Sequence, residues 1–389
     1  MLIVLTTHPI QYQVPIWQRL AREGRVPFEV WYLSDRGVRP GFDREFAHHF
    51  AWDIDLTSGY PHRFLPGAAA TAPDSFRDCR LREPFAARLR EAGATALWIQ
   101  GWQVAAYWQA AIAAHAAGIP VWLRGESNDL GTVPLWKKPL KRVALGQLFS
   151  RIESFLYIGE ANRRLYRAYG VPDARLHPAP YAVDNARFAA QAKEWRRQRP
   201  ALRRQWDIAD DAFCVLFCGK FIAKKRPLDL IEAAHRLARQ CPDRPLHLLF
   251  AGAGELEGEL RAACGALKAS FTGFLNQTEV SRAYAAADCL VLPSGPGETW
   301  GLVVNEALAS GLQVIVSDAC GVAHDLGGAG LTYACSDVAA LADAMTAIRE
   351  KPVPPAAREA FLKKHDFDVT VGTVALLMGA GPFAQEAAQ

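Results

Sequence analysis

Short apolar runs recur along the first half of the chain at 2–5, 28–32, 96–100, 121–123 and 155–158. Between several of them lie stretches with apolar residues at three- and four-residue spacing, at 14–22, 85–92, 104–117 and 140–151, and that period predicts helices. A second set of runs follows at 213–217, 247–251, 289–293 and 314–317, with helical stretches at 227–240, 256–266, 278–286 and 302–310. Strands that alternate with helices predict a parallel sheet covered on both faces. Two successive sets predict an α/β chain of two Rossmann-like domains, 1–185 and 211–365, facing across a cleft. A ligand of such a chain sits at the C-terminal ends of the strands, in the crevice between the halves. The stretch 186–210 is polar, rich in Arg and broken by Pro200, and reads as a linker. The tail 366–389 carries one more apolar, helix-like stretch at 367–378.

Composition adds bounds rather than identity. Of 389 residues, 50% are hydrophobic and 22% charged, enough to bury substantial cores. The net charge of +4 and a pI near 8.6 suit anionic substrates or membrane surfaces and are diagnostic of neither. The eight Cys are scattered with no CxxC pair, which argues against a disulfide or zinc framework and for buried free thiols in a reducing cytoplasm. The N-terminal run is too short and lacks the basic flank of a signal peptide. No apolar stretch approaches the ~20 residues of a membrane span. The chain therefore reads as cytoplasmic.

The most specific chemistry lies at Glu298-Thr-Trp-Gly-Leu-Val-Val-Asn-Glu306. Two carboxylates stand eight positions apart, after a strand-like run and the turn Ser294-Gly-Pro-Gly297, and before a helical stretch closed by Gly311. A helix beginning near Glu298 would turn both carboxylates to a similar side. Helix N-termini expose unpaired N–H groups that attract phosphate, and carboxylates accept hydrogen bonds from hydroxyls. The package suits a ligand that is part phosphate and part polyol. Two Glu at this spacing alone would fit a solvated helix face as well; the turn, the Trp-Gly pair and the small-residue helix end sharpen the signal. A second marker is Cys218-Gly219-Lys220-Phe-Ile-Ala-Lys224-Lys225-Arg226-Pro227, directly after a strand and before a helix. Its Gly lets the chain turn, and Lys220 and Lys225 can converge on a diphosphate.

The segment 298–318 resembles the E-x7-E region of retaining glycosyltransferases of family 4, which have the GT-B fold. That resemblance implies a retaining, hexosyltransferase-type enzyme that moves a sugar from a UDP- or GDP-type donor to an acceptor hydroxyl, in cell-surface glycan, glycolipid or secondary-metabolite biosynthesis. It implies that Glu306 holds the ribose and Glu298 the transferred sugar, with the backbone of Thr299, Trp300, Gly301 and Leu302 on the anionic middle. Gly219, Lys220 and Lys225 would face the diphosphate. The family often has Arg where Lys220 stands and Gly where Arg226 stands, so a point charge replaces a bidentate fork here. Gly252 and Gly254 resemble the family's strand-end G-x-G, which brings backbone close to the donor. They do not form a dinucleotide fingerprint, because Glu257 occupies the third Gly position. Phe274 and Leu275 follow Gly273 where the family lays its nucleobase, although core packing explains their side chains nearly as well. The last helix of this fold crosses back to the first domain. No metal and no cofactor is implied, the nucleotide sugar being a co-substrate.

The first domain, as acceptor side, matches more loosely. His8, Gln11 and Tyr12 follow the first strand where many members have a Gly-rich loop, and Trp102, Arg124 and Glu126 end later strands. The family's usual His is replaced by Arg124 and Glu126. The acceptor class stays open between glycan, lipid-linked and small molecule. Asp53-Ile-Asp55 has the form of a metal-binding DxD, but a solvated strand face explains it better. The Arg-rich stretch 193–204 fits a solvated linker better than nucleic-acid binding. Trp136 and the basic residues Lys137, Lys138, Lys141 and Arg142, ahead of Leu145 and Leu148, fit either a cleft-flanking helix or a segment that touches anionic membrane. Two other readings of the whole chain remain: a non-catalytic nucleotide-sugar-binding partner, and a nucleotide-sugar epimerase or glycogen-synthase-like polymerase on the same scaffold.

Overall fold

Successive residues of the first strand point to opposite faces, and both faces are apolar. In β1 (Leu2–Thr6) the side chains of Leu2 and Val4 enter one core and those of Ile3 and Leu5 another, all fully buried. A strand with two buried faces belongs in the middle of a covered sheet. The structure, a computed structural model describing residues 1–38, 41–43, 48–50, 52–71, 73, 75–131 and 138–380, places it there. With β2 (Phe28–Tyr32), the small antiparallel hairpin β3 (Gly41–Asp43) and β4 (His48–Phe50), β5 (His62–Phe64), β6 (Ala96–Ile99), β7 (Val121–Leu123), β8 (Ser154–Tyr157) and β9 (Leu176–Pro178), the N-terminal lobe is laid out. Its main sheet is parallel, in the order β5-β2-β1-β6-β7-β8-β9. Helix α1 (Val14–Glu23) covers one face, with Trp17 edge-on to Trp98 at 5.1 Å. Helices α2 (Phe85–Glu91), α3 (Ala105–Ala116) and α4 (Lys138–Phe149) supply buried residues to the core on the other face, and α5 (Glu160–Ala168) follows β8.

The C-terminal lobe repeats the plan. Its strands are β10 (Phe213–Cys218), β11 (Leu246–Ala251), β12 (Lys268–Gly273), β13 (Cys289–Leu292), β14 (Gln313–Ser317) and β15 (Leu331–Tyr333). They pair in parallel in the order β12-β11-β10-β13-β14-β15. Two cores again flank the sheet: Val215 and Phe217 face one, Cys214 and Leu216 the other. Two parallel α/β lobes are what the alternation of runs predicts.

The stretch read as a linker is helical and packed rather than solvated. It forms α6 (Asn185–Arg197) and α7 (Arg199–Gln205), and Phe188, Leu202 and Trp206 join the C-terminal core. Its arginines are committed as well. After α8 (Pro227–Gln240) and α9 (Glu257–Cys264), helix α10 (Val280–Ala286) ends with carbonyls that lack intrahelical partners. Arg199 donates to Ala285 and Ala287 at 3.1 and 3.2 Å, and the buried Arg203 donates to Ala209 at 2.8 Å and to Ala212 and Ala286. The charges that make this stretch look solvated cap a helix instead.

The remaining helices are α11 (Leu302–Ala309), α12 (Val338–Glu350), α13 (Pro355–Lys364) and α14 (Phe367–Leu377). The last one lies on the N-terminal lobe. Phe367, Val371 and Val374 enter the core under α1, and the Thr373 hydroxyl donates to the Pro178 carbonyl at 2.6 Å. The two chain crossings run side by side, because the Asn185 amide donates to the His365 carbonyl at 3.2 Å and to Asp366 Oδ2 at 3.0 Å. All eight cysteines are free thiols. Among the described residues no helix is long and apolar enough to cross a membrane.

If Arg203 is structural, Arg203→Met strands the buried carbonyls of Ala212 and Ala286 and leaves Asp288 with Arg199 as its cation, at a cost of roughly 2–4 kcal/mol in urea unfolding. Exposed Arg204→Met should stay within about 0.5 kcal/mol. Equal small effects would restore the linker reading.

Candidate functional site

In a parallel sheet the loops diverge where the strand order reverses, and a crevice opens there. In the C-terminal lobe that point lies between β10 and β13. The loop after β10 carries Gly219, Lys220 and a single turn of 3₁₀ helix, Ala223–Lys225. The loop after β13 carries Glu298. The two meet: Lys225 Nζ donates to Glu298 Oε2, with only 22% and 11% of the side chains exposed. The Gly295 N–H donates to the Lys224 carbonyl at 2.9 Å and ties the loops behind the pair.

The helix geometry expected for the two carboxylates is not found. Helix α11 starts only at Leu302, and Glu298 lies outside any helix or strand, four residues before it. The break is at Gly301, whose φ of 108° lies in the left-handed region; a Cβ there would stand 2.4 Å from a Leu292 methyl. Glu306, in the second turn of α11, has its own partners. The Tyr284 hydroxyl donates to Glu306 Oε2 at 2.6 Å, and the Gln277 side chain also hydrogen-bonds it. Burial raises the Glu306 carboxyl above its ordinary value of 4.5, against the opposing pull of Tyr284, Arg187 and Gln277. Burial, then the Glu306 charge, pushes the neighbouring Cys218 thiol up to about 12. Arg226, where the family often has Gly, takes up a left-handed φ of 51° and pairs with Asp229 at 2.8 Å.

The glycines of the G-x-G pair serve a neighbour rather than open space. A Cβ on Gly252, with φ of 147°, would lie 1.9 Å from the Gly219 carbonyl oxygen, and one on Gly254 would lie 2.6 Å from that of Phe221. They let the loop after β11 lie flat against the loop after β10, where Phe221 N–H donates to Ala253 at 2.9 Å. Gly219 itself has nothing within 4 Å of a would-be Cβ and lines a cavity of about 340 Å³. Phe274, Leu275, Leu302 and Glu306 line it too, and Gln11 and Tyr12 enter from the N-terminal lobe.

Trp300 does not present its ring to the cavity. It is 3% exposed and wedged between the lobes, against Tyr181 and His365 and over Gly159, where a Cβ would stand 2.2 Å from the indole. Its Nε1 donates to Asn305, and the Asn305 amide donates to the Tyr181 carbonyl at 3.2 Å. Thr299, beside it, has its carbonyl engaged from the N-terminal lobe: the Asn128 amide donates to the carbonyls of Glu298 and Thr299 at 3.2 and 3.1 Å.

On the N-terminal side, Arg124 and Glu126 form a polar network behind the crevice. Arg124 is 1% exposed and donates to Glu126 at 3.3 Å and to the Ala179 carbonyl at 3.2 Å. The Gln13 amide donates to the same Glu126 oxygen at 3.3 Å, and Tyr181 also reaches Glu126. Tyr12 stands edge-on to Tyr181 at 5.5 Å, its phenol pushed upward by burial. His8 Nδ1 lies 3.0 Å from the Thr7 hydroxyl. Trp102 is not part of this group. Its ring fills the space over Gly125 and packs on Phe149 and Tyr166, a core role. Asp53 and Asp55 do not share a strand face, since residues 52–60 form bends; Asp55 accepts the N–H groups of Thr57 and Ser58, and Asp53 reaches Thr278. Of the basic-apolar segment, Trp136 and Lys137 lie outside the described residues, whereas Leu140 and Val143 are 73% and 64% exposed beside Lys141 and Arg142.

Residues 212–351 match the family model described as glycosyl transferases group 1. The D-inositol 3-phosphate glycosyltransferase of Nocardia farcinica is 30% identical over 200 residues, which cover 49% of this chain and 43% of that protein. The GDP-mannose-dependent alpha-mannosyltransferase of Mycobacterium tuberculosis is 36% identical over 154 residues, or 40% of this chain and 36% of that protein. The match thus spans less than half the length of these relatives. A solved glycosyltransferase from Rickettsia africae superposes with a TM-score of 0.71 over 97% of both chains, at 13% identity. Anabaena HepE, solved with UDP and glucose, gives 0.67 over 98% of this chain and 99% of that one, at 14% identity. The fold is GT-B.

Several residues of this GT-B crevice carried no local signal: Asn128, Tyr284, Gln277 and Arg187 act on Glu298 or Glu306 from distant positions. Only a buried Tyr or amide's need for a partner hints at them.

The raised Glu306 carboxyl gives a stability test. Stability from a raised acid is full below its unfolded value and is lost as pH rises through the folded value. Glu306→Gln should therefore melt at or above the wild-type temperature at pH 7, and the gap should close as pH falls toward 4.5. A clearly lower melting temperature at pH 7 would mean that the carboxylate is structural.

Proposed function

We propose that the chain is a retaining glycosyltransferase that moves a sugar from a UDP- or GDP-type nucleotide donor to an acceptor hydroxyl. The observation that carries it is the meeting of Lys225 and Glu298 at the reversal point of the C-terminal sheet, next to a cavity that holds Glu306 and is walled by both lobes. In the proposed reaction Lys220 and Lys225 take the charge that develops on the departing diphosphate, together with the backbone amides of 299–302. Glu298 orients the sugar hydroxyls and Glu306 the ribose, while Phe274 and Leu275 flank the base. The acceptor enters between the lobes past His8, Gln11 and Tyr12, attacks the anomeric carbon from the face the phosphate leaves, and passes its proton to that phosphate. The C–O bond to phosphate breaks as the C–O bond to the acceptor forms, so no oxidant, reductant or metal enters the balance.

The match to group 1 glycosyl transferases over 212–351 supports the donor half of this reading. Relatives named for D-inositol 3-phosphate and GDP-mannose, and a neighbour solved with UDP and glucose, point to nucleotide sugars as donors and polyols as candidate acceptors. Glycan, lipid-linked and small-molecule acceptors, in cell-surface or secondary-metabolite glycosylation, are the classes to screen. Catalysis at the cytoplasmic face of a membrane is part of the proposal: Leu140 and Val143 stand exposed on a helix segment with two cations between them.

Incubation with UDP- and GDP-sugars and a panel of polyol acceptors should release the nucleoside diphosphate and yield a product of unchanged anomeric configuration by NMR. Lys225→Ala should lower kcat on the order of 10²-fold, and Glu306→Ala should mainly raise KM for the donor. Full activity in both variants, or an inverted anomer, would overturn these roles. Epimerised donor appearing without acceptor would favour the epimerase. Sedimentation with phosphatidylserine vesicles should carry the protein down, and less so Leu140→Gln/Val143→Gln; no sedimentation would dismiss the membrane contact.

A further inference from the structure

The cavity that contains Glu306, Gly219, Phe274 and Leu275 is not enclosed by the C-terminal lobe alone. Trp52, Ile54, Asp55 and Leu56 of the N-terminal lobe line it as well. They belong to a strap, 52–60, without regular structure but firmly seated. Leu56 is buried in the core under α1, its carbonyl accepts the Tyr60 hydroxyl at 2.6 Å, and Trp52 and Ile54 pack against the same core. Asp55 fixes the turn by accepting the N–H groups of Thr57 and Ser58 at 2.9 and 3.1 Å.

One residue of the strap reaches the opposite lobe. Asp53 Oδ2 accepts the backbone N–H of Thr278 at 3.1 Å and also its hydroxyl. Thr278 follows Gln277, the residue whose side chain hydrogen-bonds Glu306 and whose main-chain and side-chain carbonyls receive the two terminal guanidinium nitrogens of Arg187, at 2.9 and 2.8 Å. The cross-lobe contact therefore ends one residue from a side chain that helps hold the Glu306 carboxylate in place. The strap and the Glu306 network share one cavity and one short stretch of chain.

We propose that the strap is the N-terminal wall of the nucleoside subsite, with Trp52 as a specificity-determining contact to the base and Asp53 as a positioning residue that holds the wall against Thr278. The inference rests on Glu306 being the ribose contact. An aromatic ring offers a base a large apolar face at low cost in conformational freedom. A wall supplied by the second lobe is complete only when the lobes approach each other. The nucleotide then binds the closed arrangement better than the open one, and binding and closure are coupled. A C-terminal lobe that held the base on its own would not need this contact.

Titration calorimetry of the full chain with UDP and with GDP tests this directly. Trp52→Ala should weaken the preferred nucleotide roughly tenfold and change the UDP:GDP affinity ratio, whereas a structural role would weaken both in proportion. Trp52→Phe should keep most of the affinity. Asp53→Ala, at an exposed position, should weaken both nucleotides about three- to tenfold, and Asp53→Asn should restore them, because an amide oxygen still accepts from Thr278. Wild-type affinity and ratio in Trp52→Ala and Asp53→Ala, with binding lost in Glu306→Ala, would overturn the wall and leave the donor site standing. Binding of neither nucleotide by the wild type, or unchanged binding in Glu306→Ala, would overturn the donor site and the wall together. Should Trp52→Ala fail to fold, Asp53→Ala and its Asn rescue decide alone.

Discussion

A carboxylate and an ammonium group, both largely withdrawn from water, meet where the C-terminal sheet reverses its strand order. Removing such charges from solvent costs several kcal/mol apiece, and only close pairing offsets it. Lys225 and Glu298 therefore constrain each other's loops: neither can retreat without leaving a charge unpaired. The constraint spreads along the chain. Asn128 of the opposite lobe holds the carbonyls of Glu298 and Thr299, Trp300 wedges the next residue between the lobes, and Gly301 turns the chain into α11. Glu306 and its cavity are positioned from that turn.

The two glutamates live in different surroundings, which separates what each can do. Glu298 has a cation as partner, so a diphosphate that draws Lys225 away would free its carboxylate for sugar hydroxyls. Glu306 is held by a phenol and an amide, neutral donors that leave acceptor capacity on a partly buried carboxylate for a hydroxyl. Burial disfavours the charge of Glu306, which sets it apart from the ion-paired Glu298. In the proposed reaction the pair at the reversal point handles the diphosphate and the sugar, and Glu306 handles the nucleoside.

The centre of each sheet was legible in the sequence because its strands are apolar on both faces; 28–32 and 121–123 coincide with β2 and β7. Besides the hairpin of β3 and β4, the strands that escaped notice, β5, β9, β12 and β15, are the four edges of the two main sheets. An edge strand is short or polar, as in Lys268–Gly273, and carries no apolar run to detect. Helices α5, α6, α7, α12 and α13 escaped as well; the first three have sequences dominated by charge, and α7 is fixed by arginines on carbonyls as much as by an apolar stripe. Candidate site residues stood out in the sequence where they are sequential neighbours, as in 218–225 and 298–306. Their partners were not. Asn128 meets Glu298 across 170 residues and Tyr284 meets Glu306 across 22, and no local pattern encodes either meeting. The expected shared helix face failed at one glycine, Gly301, and the ring of Trp102, an acceptor-side candidate, fills the gap over Gly125, as the ring of Trp300 does over Gly159.

A crystal structure of the chain with UDP or GDP bound tests the central claim most directly. The account predicts the diphosphate on Lys220 and Lys225, the ribose hydroxyls on Glu306, and the base between Phe274 and the N-terminal strap. A nucleotide seated elsewhere, or one in the crevice with Lys225 still paired to Glu298 and Glu306 untouched, would contradict it.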